Sequence, residues 1–269
     1  MKLSLALTPA PTIFAPLLYA GDLPRGLRRA AELGYDGVEL NLRDPSAEDL
    51  DWIIAAARGH GLEIISLGTG QAYLADGLSV AAGDPAVRGR LVERLKKHVD
   101  FAARVGAQVV LGGVRGRFQG DAAERRAQYE GGLDVARQVV DYATPRGVTI
   151  TLEPINRYES NFINTVEDAQ AFIRDAERPA LGILLDTFHM NIEEASMTGA
   201  IRQAGRWLTH VHFVDSNRRA PGMGHIDFAA LIATLREVGY RGYLSGEFLP
   251  LPDDETAAAC NVDTLRRLL

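Results

Sequence analysis

The feature that most constrains the fold of this chain is a unit repeated eight times, in which a short apolar stretch is followed by a loop and a helical pattern. The predicted strands cover residues 2–8, 37–41, 62–68, 108–114, 148–153, 182–186, 209–214 and 243–248. Strict alternation of strands and helices predicts parallel strands joined by crossover helices. Eight such units in about 250 residues are what a closed α/β barrel, the (β/α)8 or TIM barrel, requires.

Helix start and stop signals support this prediction. Four helical stretches are preceded by residues that favour a helix start, namely Asp22 with Pro24, Ser46 with Asp49, Asp84 with Pro85, and Asp227. Three glycines stand where helices are expected to end: Gly34, Gly61 and Gly239. No linker or low-complexity tract divides the chain. We therefore predict one barrel domain over residues 1–269, with an open doubly wound sheet as the alternative fold.

Composition and charge exclude several classes of function. The chain has 269 residues, of which 46% are hydrophobic, so it can bury a large core. Its formal net charge of -6 argues against binding to nucleic acid, which needs clustered Lys and Arg. The single cysteine, Cys260, excludes an internal disulfide and is typical of a reducing cytosol.

The first residues resemble a secretory signal only superficially. Pro9, Pro11 and Pro16 interrupt the apolar helix that a signal core prefers, whereas "KLSLALTP" alternates like a strand. No stretch approaches the ~20 apolar residues of a membrane-spanning helix. We therefore expect a cytoplasmic protein with no membrane partner. The sequence is also compatible with a homo-oligomer, either a dimer or a tetramer.

Metal-ligand side chains stand at the ends of the last four predicted strands. Because catalytic residues of a (β/α)8 barrel lie at the C-terminal ends of the strands, these positions face one mouth. Three carboxylates crowded there would repel one another unless a cation lay between them. The alternative is four unrelated turn or cap residues. The four side chains belong to Glu153, Asp186, His212 and Glu247, on strands five to eight.

Carboxylate oxygens with one imidazole favour a single divalent ion, Mn²⁺ first and Mg²⁺ or Co²⁺ as alternatives, over a structural zinc site. His210 faces the same side of its strand as His212 and is interpreted as a hydrogen-bonded core histidine. His60 and His98 fall in helical stretches, so we expect them to face solvent or to cap a helix end.

Several segments resemble a known family. "LEPINRYE", "LDTFHMNIEE", "HVHFVDSNRRAPGMGHIDF" and "GEF" resemble the divalent-metal-dependent ketose 3-epimerases, the D-tagatose and D-psicose epimerase group within the xylose-isomerase-like barrels. In the first half, "MKLSL", "GTGQAYLADGLS" and "VRGR" resemble the 5-keto-L-gluconate epimerase branch. Three spacings in the second half also fit the family pattern: Glu153 to Glu159, Asp186 to His189, and His212 to Arg218.

The resemblance implies a carbohydrate epimerase and a role for each matching residue. Glu153 and Glu247 would be the two catalytic acid–bases, one removing the proton beside the ketone and the other returning a proton on the opposite face. The metal would act as a Lewis acid that stabilises the enediolate between these two steps. The expected ligands are Glu153, Asp186, His212 and Glu247, and the expected contacts to the sugar are Glu159, His189 and Arg218.

The "VRGR" segment after strand four bears on the substrate. Arg115 and Arg117 are expected to open into the mouth, and arginine holds a carboxylate through two parallel hydrogen bonds of ~1.5–3 kcal/mol each. We therefore expect a small keto-sugar acid, such as 5-keto-L-gluconate or D-tagaturonate, bound by Arg115. The alternatives are that both arginines face solvent or pair with an acid on a helix, and that the substrate is a free ketose such as D-tagatose, D-fructose, D-psicose or L-ribulose.

Other classes of function stay open at this point. "SNRRAPGMGH" and "GTGQAY" offer glycines and arginines to a sugar phosphate. An apurinic endonuclease with the same barrel would need more histidines at the strand ends and a basic face. The six histidines and the net charge of -6 of this chain do not provide them. A barrel that binds sugar without chemistry is a third hypothesis. An aldose–ketose isomerase would use closely similar residues.

Overall fold

The computed structural model describes residues 1–12 and 16–269. Eight parallel strands pair in chain order and the last strand pairs with the first, so the predicted (β/α)8 barrel is confirmed. The strands are β1 (Lys2–Leu7), β2 (Gly37–Asn41), β3 (Glu63–Gly68), β4 (Gln108–Leu111), β5 (Ile150–Leu152), β6 (Leu181–Asp186), β7 (Leu208–His212) and β8 (Tyr243–Gly246).

Helices surround this barrel, and two of the connections contain an additional short helix. The helices of the described residues are α1 (Leu23–Leu33), α2 (Leu50–Gly59), α3 (Gly70–Asp76), α4 (Pro85–Val105), α5 (Ala122–Ala143), α6 (Val166–Ala176), α7 (Thr187–Glu193), α8 (Met197–Ala204), α9 (Phe228–Glu237) and α10 (Asp254–Arg266). Both α3 and α7 follow strand ends directly, so each begins at the mouth of the barrel.

Four predicted aspartates cap the helices that follow them. Each accepts a hydrogen bond from a backbone N–H of the first helical turn, which satisfies a donor that has no partner inside the helix. These caps are Asp22 of α1, Asp49 of α2, Asp84 of α4 and Asp227 of α9. Gly34 ends α1 in the left-handed conformation, as expected for a residue without a Cβ.

The fourth strand differs from its prediction over residues 108–114. β4 ends at Leu111, Gly112 has φ -95° and ψ -114°, and a 3-10 turn covers Gly113–Arg115. The turn forms because the Arg115 N–H donates to the Gly112 carbonyl, a bond that an extended strand would not allow. Arg115 therefore leaves the barrel in a different direction from the one the longer strand predicts.

The interior of the barrel is unusually polar below the mouth. Buried serine, threonine, histidine and glutamate side chains lie on the strands, whereas most such barrels fill this space with branched apolar residues. The apolar core lies instead between strands and helices, where Leu5, Val38 and Leu67 are buried. The buried polar residues on strands include Ser4, Glu39, Ser66, Thr151, His210 and Ser245.

His98 corrects the expectation that helical histidines face solvent. His98 lies on α4 and is fully buried, and its Nδ1 and Nε2 lie 2.9 Å from the Arg94 carbonyl and 3.0 Å from the Leu42 carbonyl. It is buried because it joins α4 to the chain that follows β2. His60 does cap the end of α2. Within the described parts of the chain, no helix has the length and apolar character that crossing a membrane requires.

Candidate functional site

The four side chains predicted from the strand ends meet at the mouth of the barrel. Glu153 and Glu247 immediately follow β5 and β8, and Asp186 and His212 end β6 and β7, so all four stand at equivalent depth. His212 Nδ1 lies 3.5 Å from Asp186 Oδ2 and 3.7 Å from a carboxylate oxygen of Glu153 and of Glu247. One donor atom from each residue lies within 4.8 Å of the others. We call these residues the metal group.

The metal group fits a divalent cation. Among the described residues, Glu153 Oε1 and His212 Nδ1 are buried without a hydrogen-bond partner. A cation about 2.1 Å from each of two ligands allows ligand atoms up to about 4.2 Å apart, which accommodates separations of 3.5–3.7 Å. Three buried carboxylates and one imidazole would hold a hard or borderline ion such as Mn²⁺, Mg²⁺ or Co²⁺.

Electrostatics also indicates a cation. Burial raises the pKa of Glu153 to about 7, and repulsion from Asp186 adds to this effect. Burial likewise raises the pKa of Glu247 well above its usual range, with repulsion from Glu153 adding to it. Both carboxylates are therefore costly to ionise without a partner, and a divalent cation among them supplies the compensating charge.

Asp186 is both a helix cap and a member of the metal group. Its Oδ1 accepts hydrogen bonds from the backbone N–H groups of Phe188, at 2.7 Å, and His189, at 3.1 Å, while Oδ2 faces His212. Burial acts to raise the pKa of Asp186, but the histidines and the backbone bond outweigh it and lower that pKa. The cap therefore orients the carboxylate, and the two histidines, with a smaller contribution from the cap, favour its ionised form.

Two glycines at the ends of β3 and β4 leave room for Glu153 of the metal group and for its neighbour Asn41. A methyl group at Gly112 would overlap Glu153 Oε2, and one at Gly68 would overlap the amide of Asn41. Asn41 in turn donates a long hydrogen bond of 3.5 Å to Glu247 Oε1. The glycine that ends β3 and the glycine that follows β4 are therefore required by close approach.

The three residues expected to contact a sugar lie in one hydrogen-bond network beside the metal group. Asn156 Nδ2 donates to His189 Nδ1 at 2.8 Å and to Glu159 Oε1 at 2.9 Å, and Arg218 donates to the same Glu159 oxygen at 2.7 Å. Asn156 Oδ1 accepts from the Tyr158 N–H, so its amide orientation is defined. His189 Nδ1 is thus an acceptor, and Nε2 carries the hydrogen.

Burial lowers the pKa of His189, so the ring is a neutral N–H donor near neutral pH. His189, Glu159 and Arg218 all line the same pocket as Glu153, His212 and Glu247 of the metal group. Arg218 adopts a left-handed φ of 62°, its carbonyl accepts from the Leu249 N–H at 2.8 Å, and its guanidinium lies 5.0 Å from the Phe188 ring. The backbone conformation holds this side chain at the mouth.

The loop after β7 does not offer a free phosphate cradle. The carboxylate of Asp215 accepts hydrogen bonds from four backbone N–H groups of its own loop, at 2.8–3.2 Å: those of Ser216, Gly222, Gly224 and Ile226. Asp215 is buried, and its negative charge occupies the centre that a phosphate would need. The glycines of "SNRRAPGMGH" therefore fold the loop around an internal acid.

Arg115 does not line the pocket that holds Glu153, His212 and Glu247, although its charge acts on Glu153. The side chain is 1% exposed and donates to the carbonyls of Phe162 and Ile163, the second bond measuring 3.0 Å. Burial lowers its pKa to about 10. Arg117 is exposed and donates to the Tyr158 carbonyl. Nε and Nη2 of Arg115 are buried without a hydrogen-bond partner among the described residues, and the side chain lines neither pocket at the mouth, so a contact with a substrate carboxylate stays a prediction.

A cavity of about 200 Å³ adjoins the metal group. Its lining is mostly glycine and apolar side chains, with Glu159 as its acid: Gly70, Tyr73, Leu74, Gly112, Gly113, Gly116, Ile155, Glu159 and Ser160. A larger cavity of about 540 Å³ lies at the opposite end of the barrel, beside the residues that precede β3 and β8. The chemistry of the side chains, and not cavity size, therefore identifies the site.

Sequence reasoning missed three residues that support the site: Glu39, Asn156 and Asp215. Glu39 is 1% exposed, and its Oε2 lies 2.9 Å from His210 Nε2 and 3.1 Å from His212 Nε2. The signal that could have identified Glu39 is an acidic residue inside "GVELN", a strand of a parallel barrel that is expected to be buried along its whole length. No comparable signal marks Asn156 or Asp215, because loops commonly contain both residue types.

Comparisons with known proteins agree with this geometry. The sequence pattern of the xylose isomerase-like TIM barrel family matches residues 27–268. The L-ribulose 3-epimerase of Methylomonas sp. (strain DH-1) is 33% identical over 241 residues, which cover 86% of this chain and 82% of that protein. The 3-dehydro-D-guloside 4-epimerase of Escherichia coli (strain K12) is 30% identical, over 81% of this chain and 83% of that protein.

A solved structure has the same architecture over the whole chain. The crystal structure of a D-allulose 3-epimerase from Methylomonas sp. in complex with D-allulose superposes with a TM-score of 0.84 at 26% identity. The match covers 100% of this chain and 98% of that one.

Proposed function

We propose that this chain, which belongs to the xylose isomerase-like TIM barrel family, is a metal-dependent sugar epimerase. The observation that carries the proposal is the convergence of three carboxylates and one imidazole at the C-terminal mouth of the barrel. The relatives described above are named as epimerases of ketoses or of a keto-glycoside, and these names support the same class of reaction.

The metal we infer is one Mn²⁺ ion, with Mg²⁺ and Co²⁺ as alternatives, held by Glu153, Asp186, His212 and Glu247. When bound, a divalent cation supplies Lewis-acid polarisation of a carbonyl, which favours loss of a proton from the neighbouring carbon. Glu153 Oε1 and His212 Nδ1 support this assignment, because both are metal-ligand atoms that are buried without a hydrogen-bond partner in the described structure.

The two glutamates are the proposed acid–bases. Glu153 and Glu247 line the same pocket but follow strands β5 and β8, which are not neighbours in the barrel. A sugar carbon between them can therefore lose its proton to one carboxylate and receive a proton from the other on its opposite face, which inverts that carbon. General acid–base catalysis of this kind typically contributes ~10²- to 10⁴-fold to the rate.

The neighbouring network would orient the sugar. His189 presents a neutral Nε2–H and can donate to a sugar oxygen, while the Glu159–Arg218 pair presents both an acceptor and donors at the mouth. Hydrogen bonds from both sides of a sugar would fix the carbon that faces the two glutamates, and this positioning determines which stereocentre reacts.

We further propose that the substrate is a neutral ketose epimerised at C3. The adjoining cavity has no Lys or Arg among its described lining residues, and the acid Glu159 faces it. Arg115, which the sequence suggested as the carboxylate contact, lines neither this cavity nor the pocket of the metal group, and its Nη1 donates to two backbone carbonyls. A neutral sugar tail fits this lining better than a carboxylate, which would be left without a cation to hold it.

Incubation with Mn²⁺ in D₂O followed by proton NMR tests the proposal. The panel contains D-tagatose, D-fructose, L-ribulose, 5-keto-L-gluconate and D-tagaturonate, and the Glu153→Gln variant serves as the control. We expect deuterium at C3 of the neutral ketoses. Deuterium at C1 would instead indicate aldose–ketose isomerisation, and turnover confined to the two keto acids would contradict the neutral-substrate proposal.

A further inference from the structure

Glu39 contacts the metal group from the far side of the barrel. It lies on β2, whereas His210 and His212 lie on β7, and these strands are not paired with each other. The contact of Glu39 Oε2 with the two imidazoles, at 2.9 and 3.1 Å, therefore crosses the barrel interior. All three side chains are about 1% exposed, so water does not compete for these hydrogen bonds.

The atom of His212 that touches Glu39 is the one that does not face the metal group. Nε2 points at Glu39, while Nδ1 points at Asp186, Glu153 and Glu247. A carboxylate oxygen can only accept a hydrogen bond, so Nε2 must carry the hydrogen. In a neutral imidazole this leaves the lone pair on Nδ1, which is the atom a cation would bind.

We propose that Glu39 is a positioning residue that fixes the tautomer and ring orientation of His212, so that Nδ1 is the metal-binding atom. His210 supports this role, because its Nε2 donates to the same oxygen and holds the Glu39 carboxylate in place. The inference rests on the metal site of the proposed function and not on the identity of the sugar.

A purely structural role explains Glu39 less well. A buried charged group with its partners contributes little net stability, and replacing such a set by apolar residues is often neutral or stabilising. Other buried polar side chains of the strands, such as those of Ser4, Ser66, Thr151 and Ser245, are neutral and need no charged partner. An acid at this position is explained by its effect on His212: it accepts the hydrogen of Nε2 and so leaves the lone pair on Nδ1.

The test compares two buried polar substitutions of the barrel interior. Glu39→Gln keeps the shape but presents both an amide N–H and a carbonyl to two imidazoles, so the tautomer of His212 is no longer fixed. Thr151→Val is the matched control, because Thr151 is fully buried and bonds Gln108 and Thr209 without contacting His212. Mn²⁺ affinity is measured by calorimetry, and the stability of each metal-free protein by thermal unfolding.

We expect Glu39→Gln to weaken Mn²⁺ binding by about 10- to 100-fold, as is typical when the hydrogen-bond partner of a metal-bound histidine is lost. Thr151→Val is expected to lower thermal stability while leaving Mn²⁺ affinity unchanged. Wild-type affinity in Glu39→Gln, or an equal loss of affinity in both variants, overturns the positioning role. A wild-type protein that binds no divalent ion contradicts the metal site of the proposed function instead.

A second measurement does not depend on the variants folding. In wild-type protein labelled with ¹⁵N-histidine and loaded with diamagnetic Mg²⁺ or Zn²⁺, NMR is expected to show the hydrogen of His212 on Nε2. A hydrogen on Nδ1 overturns the proposal. So does a stoichiometry of two ions per chain, because Glu39, His210 and His212 would then be ligands of a second ion and not a hydrogen-bonded support.

Discussion

The two halves of the barrel contribute to the mouth in different ways. Strands β5 to β8 present the ligand atoms and charges of the metal group, whereas β2 to β4 present an internal acid, an amide and two glycines. Glu153 from the second half depends on Gly112 from the first, since a methyl group there would overlap its carboxylate. His212 likewise contacts Glu39 across the barrel.

The second half of the barrel thus supplies charged groups to the mouth, whereas the first half mainly supplies the space around them. In the second half, an oxygen or nitrogen must stand at a defined point, and a change of one atom removes a ligand or a base. In the first half, the absence of a side chain or the presence of a buried acceptor is what matters. Substitutions in the two halves should therefore change activity, metal affinity and stability in different ways, and four experiments can separate these effects.

Removal of the metal should have the largest effect. Chelation is expected to abolish activity, and Mn²⁺ or Co²⁺ should restore it, because the carbonyl loses its Lewis acid. The same ion should raise the free energy of unfolding by about 2.7 kcal/mol when present at 100 times its dissociation constant. Activity assays and thermal unfolding on one metal-free preparation measure both effects. Full activity in a verified metal-free sample would refute the four-residue site.

Loss of either carboxylate of the second half should come next. Glu153→Gln and Glu247→Gln are each expected to lower kcat by ~10²- to 10⁴-fold, because each removes one proposed acid–base and one proposed metal ligand. Circular dichroism should show an intact barrel, since both residues lie beyond the strand ends. The exposed Glu93→Gln, on α4, is the control. Unfolding of both active-site variants would assign these carboxylates a structural role.

A methyl group in the first half should have a smaller effect of a different kind. Gly112→Ala is expected to displace the Glu153 carboxylate and reduce kcat/KM by about 100-fold, a typical cost for a displacement of about 1 Å at an active site. Gly89→Ala on α4 is the control, because no neighbour lies within 4 Å of the added carbon. If Gly112→Ala keeps wild-type kcat/KM and Mn²⁺ affinity, space at this strand end is not limiting.

The pH dependence of metal-free stability should show the smallest effect. The folded-state pKa of Glu153 is about 7, above its ordinary value of 4.5, so folded protein keeps a proton that unfolded protein releases between these values. Stability attributable to this group is therefore lost as pH rises through that window. In the absence of metal, the free energy of unfolding of Glu153→Gln should rise relative to that of wild type by up to about 3 kcal/mol between pH 5 and pH 8.

Denaturant unfolding of wild type and Glu153→Gln at both pH values measures this difference. Mn²⁺ should cancel it in wild type, because a bound cation removes the preference for the protonated form. A difference that shrinks with rising pH would mean that Glu153 is not destabilised by burial beside its neighbours.

The direction and the partners of the Arg115 side chain could not be predicted from the sequence. Its position after strand four suggested a side chain at the mouth, but β4 ends at Leu111 and the following turn directs the guanidinium onto the carbonyls of Phe162 and Ile163. Those acceptors lie nearly fifty residues away in the chain, in a loop with no recognisable pattern. Neither the strand end nor the partner could be derived from local preferences.

The sequence by itself determined the barrel and the four strand-end residues of the metal group. Strand and helix periodicity are local properties, and eight parallel strands bring their C-terminal ends to one mouth whatever the details of packing. The tertiary structure alone decided which side chains meet across that barrel. The bond from Glu39 to His212, the enclosure of Asp215 and the burial of Arg115 each depend on contacts between segments distant in sequence, which exist only once the barrel is closed.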